Sequence, residues 1–223
     1  YLGLAAFCIC LRRLRNSGDR GTEVLMRYTL RLLTAQQFQR AAALITALET
    51  LRQDSCYGAN LGDQPITIGL WVGMGLTPNR RGDALTRLNQ LRGPDAASNP
   101  FQLLRCPWCR TSLDNKHNLG YDNEPFTPGE TDSVIFRCPN VGCRWSDRRT
   151  RLPVVVIDDD IYDTPPTLLL GTVDKFAQLA WERRTGRIFG VDVEWDPPGL
   201  IIQDELHLIS GPLGTMVGLY ETV

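Results

Sequence analysis

Short apolar runs, set between segments of helical length, constrain the fold of this chain more than any other feature. They are residues 23–29 (EVLMRYT), 66–72 (ITIGLWV), 153–157 (PVVVI), 167–170 (TLLL) and 199–203 (GLIIQ). A run that does not alternate apolar with polar has both faces buried, and it is too short for a buried helix. Strands buried on both faces belong to parallel sheets covered by helices above and below. Between the first two runs, Thr34 and Gln37 fit a capping box that opens a long helix. Phe38, Ala41, Ala42, Ile45 and Leu48 then follow at helical spacing. Residues 1–15 read as a buried helix ended by the turn cluster at 16–19, residues 83–91 as a short helix, and residues 173–184 as another. The expected fold class is therefore α/β, a mostly parallel sheet with helices on both faces. In such sheets ligands bind beyond the carboxyl ends of the strands. Thr29, Thr172 and Asp204 all fall at such ends.

A chain of 223 residues has room for one large domain, or a domain with a small insertion. It buries enough surface to need no disulfides. A net charge of −1 and a pI near 6.2 predict no general attraction to nucleic acid, so any phosphate contact must come from local clusters. Lys116 and Lys175 are the lysines, and every other base is arginine, a usage read here as composition bias. The opening apolar run is shorter than the ~20 residues a membrane span needs. Its arginines follow the run instead of preceding it, unlike a secretory leader. The lack of an initiator Met and the unpunctuated end at Val223 lead to the expectation of a fragment.

The strongest local signal is Cys106-Pro-Trp-Cys109 followed by Cys138-Pro-Asn-Val-Gly-Cys143. Two tight turns, each presenting two thiolates, converge naturally on a tetrahedral four-sulfur site that suits Zn2+. With all four positions filled by protein, such a site is structural. The pairs lie in polar, proline-rich surroundings, which disfavours four plain core cysteines. Seven cysteines, an odd number with paired spacing, point to metal in a reducing compartment, the cytoplasm, and away from a disulfide framework. His117 is expected to face solvent, and Cys8, Cys10 and Cys56 read as small core residues. Arg144, Arg148, Arg149 and Arg151 form a basic run that either meets phosphates or is a solvated face.

The second signal is Asp204-Glu205-Leu206-His207 at the end of the last apolar run. Adjacent carboxylates at a strand end have a clear use in nucleotide hydrolysis. One holds Mg2+ at the phosphates, and the other orients and deprotonates the attacking water. The D-E-x-H box is similar to motif II of the superfamily 2 helicases. Residues 26–34 (MRYTLRLLT) resemble motif Ia, and residues 171–176 (GTVDKF) resemble motif Ib. The order is that of the family. Together with the cysteine pairs, RYTLRLLTAQQFQRA and QDELHLISGPLG more closely resemble the helicase component of the DISARM anti-phage defence system.

This resemblance implies a RecA-like motor domain in two parts, 1–100 and 153–223, interrupted by a zinc-binding insertion at 101–152. It implies an ATP-dependent enzyme acting on nucleic acid, with DNA and other defence-system subunits as partners and no membrane. Asp204 would hold Mg2+, Glu205 would be the catalytic base, and His207 would couple the nucleotide to the nucleic acid. Thr29, Arg31, Thr172 and Lys175 would lie along the bound strand, although turn formation and helix capping account for the same residues. One part of the pattern is missing. No G-x-x-x-x-G-K-[ST] loop is present, and Lys116 and Lys175 precede His117 and Phe176. These residues alone are therefore expected not to hydrolyse ATP. A reading from another class stays open, a zinc-stapled nucleic-acid-binding module in which Asp204 and Glu205 are only structural.

Overall fold

The structure is a computed structural model. It describes residues 1–28, 31–54, 60–73, 75–93, 98–125, 129 and 131–204. The elements are α1 (Leu2–Arg15), β1 (Val24–Tyr28), α2 (Arg31–Arg52), β2 (Ile68–Trp71), α3 (Arg81–Arg92), β3 (Tyr121–Pro125), β4 (Asp132–Phe136), β5 (Val154–Val155), α4 (Asp158–Asp163), β6 (Leu168–Thr172), α5 (Val173–Phe176) and β7 (Leu200–Gln203). Five strands form one sheet in the order β5-β2-β6-β1-β7, and every pairing in it is parallel. β3 and β4 form a separate antiparallel hairpin.

The sheet is apolar on both faces because its strands alternate sides with a period of two. Val24, Met26, Ile68, Leu70, Leu168 and Leu170 face α1 and α2, where Ile9, Phe38 and Ile45 are buried in the same cluster, which Leu88 of α3 joins from beside β4. Leu25, Trp71, Val155 and Leu169 face the other way, onto Ile161 and Tyr162 of α4, Phe176 of α5 and Ile188. The α/β class with helices on both faces is thus the observed one. The first cluster continues without a break into the cysteine-bearing segment through Phe101, Tyr121, Phe136 and Trp145. Phe101, Tyr121 and Phe136 pack against one another, Phe136 edge-to-face with the other two, with centroids 5.0–6.1 Å apart.

Several local expectations are corrected. The second helix starts at Arg31, so Thr34 lies inside it and does not open it. The helix expected over 173–184 is α-helical only to Phe176, then continues as 3-10 turns over Ala177–Ala180 and Arg183–Phe189. Phe176 and Leu179, three residues apart, both pack on the second cluster, and a three-per-turn helix aligns that spacing on one side. Helix α1 is not buried all round. Ala5, Ile9 and Arg13 are covered, whereas Leu4, Phe7 and Leu14 are more than half exposed. Cys8 and Cys10 are half-buried against the first cluster instead of inside it. Cys56 lies outside the described residues.

Candidate functional site

Parallel strands in register bring their carboxyl ends to one rim. Tyr28 pairs with Thr172, and Arg27 sits between Gly171 on one side and Gln203 on the other. The Asp204 N–H donates to the Arg27 carbonyl at 3.0 Å, which fixes the first residue after β7 beside the end of β1. Asp204 is half-buried. Burial, with the Asp204 charge adding to it, pushes the Tyr28 hydroxyl up to about 12. The Arg27 guanidinium lies over the Phe176 ring, 4.7 Å from its centroid, tying β1 to the turn after β6. Thr172 is fully buried, and among the described residues its Oγ1 has no hydrogen-bond partner. Thr29, Glu205 and His207 lie outside the described residues. Arg31 is described only as the first residue of α2.

Lys175 is buried, only 2% exposed, and its Nζ donates to Asp158. Asn79 Oδ1 and Gln178 Oε1 lie 3.3 and 3.5 Å from the same ammonium. The Tyr162 hydroxyl donates to Asp158 at 3.3 Å and accepts the Trp71 indole N–H at 3.0 Å. Burial pushes the Asp158 carboxyl up to about 6, against the pull of Lys175. This network sits just beyond the ends of β2, β5 and β6 and fixes the start of the turn that follows Thr172. Sequence reasoning missed its acidic member. The expected strand ends at Ile157, and the three acids after it, Asp158, Asp159 and Asp160, form the first turn of α4. Favourable placement of acids at a helix start was the available signal. Nothing local names Lys175 as the partner.

The four cysteines do converge. The Sγ atoms of Cys106, Cys109, Cys138 and Cys143 all lie within 4.8 Å of one another, and those of Cys109 and Cys138 are 3.4 Å apart. A tetrahedral zinc with sulfurs at ~2.3 Å separates them by about 3.8 Å, so this spacing fits a metal of that size. The turns are built by the backbone. Arg110 takes a left-handed φ of 66° and its N–H donates to the Cys106 carbonyl at 2.9 Å. Cys143 N–H donates to Asn140 at 2.8 Å, and Cys138 N–H to Trp145 at 2.9 Å. Burial pushes the Cys106 thiol up to about 11 and raises Cys138 as well. At Cys109 burial is outweighed by hydrogen bonding to the Thr111 side chain and backbone, which brings it down to about 6. Four thiolates this close repel, and a divalent cation is what lets all of them ionise together. His117 is exposed and stands outside the cluster.

No protein-family model matches the chain. Among curated proteins, the DISARM protein DrmA of Bacillus paralicheniformis is 37% identical over a 265-residue alignment. That alignment takes in the whole of this chain and 23% of the relative, so the chain spans about a quarter of that protein. Among the described residues, no helix is long and apolar enough to cross a membrane.

Proposed function

The whole chain is related to a segment of the DISARM protein DrmA, and from that kinship we propose that it is part of an ATP-dependent nucleic-acid motor of superfamily 2 type, acting on DNA in phage defence. One observation carries the reading: Thr172 and Asp204 stand on the same rim, because β6 and β7 flank β1 in register. Ligands of parallel sheets bind beyond that rim. Asp204 would hold Mg2+ at the ATP phosphates. Glu205 would activate water, and His207 would relay between nucleotide and nucleic acid. Thr29, Arg31 and Thr172 would line the bound strand. Lys175, held by Asp158 as the structure stands, would act on that strand by fixing the Thr172 turn.

The four cysteines would hold Zn2+ as a structural ion with no open position. A divalent cation there neutralises crowded thiolates and ties together the two cysteine turns on either side of β3 and β4. The grip on the outer phosphates needs a lysine loop that these residues do not contain, and is assigned to other parts of the parent protein. The same reading gives cytoplasmic action and other defence-system subunits as partners.

Glu205→Gln in the intact parent protein is the test. ATP turnover should be lost while nucleotide binding is retained, because the substitution removes the base and leaves the Mg2+ ligand. Turnover at the parental rate would support instead a zinc-stapled nucleic-acid-binding module without catalysis.

A further inference from the structure

At the opposite, amino-terminal end of the sheet lies a cavity of ≈ 410 Å³. Its floor is Pro65 and Thr67 before β2, Pro153 before β5 and Pro165 before β6. Five arginines face it, Arg13, Arg20, Arg52, Arg149 and Arg151, against one carboxylate, Glu49. That carboxylate is already saturated. Its oxygens accept two bonds from Arg52 at 2.7 Å, one from Gln53 at 2.9 Å and one from the Ile66 N–H at 2.8 Å.

Arg13 is the informative member. It is 98% buried (2% exposed), and its Nη2 donates to the Pro65 carbonyl at 3.0 Å. Among the described residues its Nη1 has no acceptor. Burial lowers the Arg13 pKa, against the pull of the Asp19 and Glu49 charges. A buried guanidinium N–H without an acceptor is a cost that proteins seldom keep without use. Guanidinium forks match the oxygens of phosphate, and a concave wall of one sign focuses potential on an anion. The volume is that of a small-molecule site and exceeds what one phosphate fills. Leu152, Val154 and Val155 supply apolar wall for the remainder of a ligand.

We propose that this cavity binds a free phosphorylated small molecule of mononucleotide size, its phosphate held by Arg13, Arg149 and Arg20, at a site separate from the Asp204 rim. Arg149 and Arg151 follow the last cysteine closely, so the site is completed by the cysteine-bearing segment. It does not depend on the motor reading, since none of these arginines belongs to the rim.

The experiment is calorimetric titration of the purified, zinc-loaded protein with inorganic pyrophosphate and with AMP, in magnesium-free buffer. Saturable binding of both is expected. It should weaken at least tenfold in Arg149→Gln and in Arg20→Gln, both exposed positions whose loss leaves the fold intact. Arg13→Met should abolish it, but that variant counts only if its circular dichroism matches wild type. Asp204→Asn should bind as wild type does. Absent binding, binding untouched by Arg149→Gln, or binding lost in Asp204→Asn would each overturn the proposal. So would a 5′-phosphorylated oligonucleotide that binds more tightly than AMP and is weakened by the same variants, since the ligand would then be a nucleic-acid end.

Discussion

Lys175→Met should cost stability in a strongly pH-dependent way. The wild-type pair is enclosed, with Lys175 2% and Asp158 3% exposed by side chain. Removing one member of a buried pair leaves the other charge uncompensated, at a cost of about 3–5 kcal/mol. The remaining carboxyl can escape that cost by protonating. Its native pKa of about 6 lies above the usual Asp value near ~3.9, so the protonated form favours the fold. A raised carboxyl contributes stability that is full below the unfolded pKa and is lost as pH climbs to the folded one. Wild type therefore loses stability between about pH 4 and pH 6 and then levels off. Without the ammonium, Asp158 titrates higher still, and the loss continues. The two stability curves should run parallel below about pH 6 and diverge above it by ~1.4 kcal/mol per pH unit, until the full cost is reached. Urea unfolding followed by tryptophan fluorescence reads this directly, because Trp71 bonds to Tyr162 in the same network. A deficit that is the same at pH 5 and pH 8, or one below ~1 kcal/mol at pH 8, would refute the reasoning.

Other perturbations are as direct. Cys138→Ser should abolish stoichiometric metal in elemental analysis of the purified protein. The thermal midpoint should fall with it, since the cysteine segment shares the core that holds Phe101, Tyr121 and Phe136. An unchanged midpoint would mean that the cluster carries no structural metal. Arg12→Met should destabilise by about 3–5 kcal/mol. Arg12 ion-pairs with Asp19 at 2.5 Å and Glu23 at 2.8 Å and donates to the Asp196 and Pro197 carbonyls. Its loss strands two buried acids and loosens the approach to β7. A urea midpoint within error of wild type would contradict that.

The strands and the metal cluster were legible in the sequence for a local reason. Whether a run such as Leu168–Leu170 has both faces buried depends on its own residues, and thiolate pairs with two or four residues between them announce a turn. The parallel class followed from the same runs, and so did the position of Asp204 at a strand end. Long-range choices were not legible. Nothing near Lys175 says that its ammonium turns inward to Asp158, and nothing near the acids of α4 names their partner. The exposed face of α1 was read as core, because apolar content does not reveal which face meets the sheet. Arg13, Arg20, Arg52, Arg149 and Arg151 come from three distant stretches, and although the run holding Arg149 and Arg151 offered a phosphate contact, nothing local joins it to the other three. Sequence determined which segments must be buried and which thiols must meet. Only the tertiary structure decided which charges face one another, because charge pairing is set by how the buried segments stack and not by their own composition.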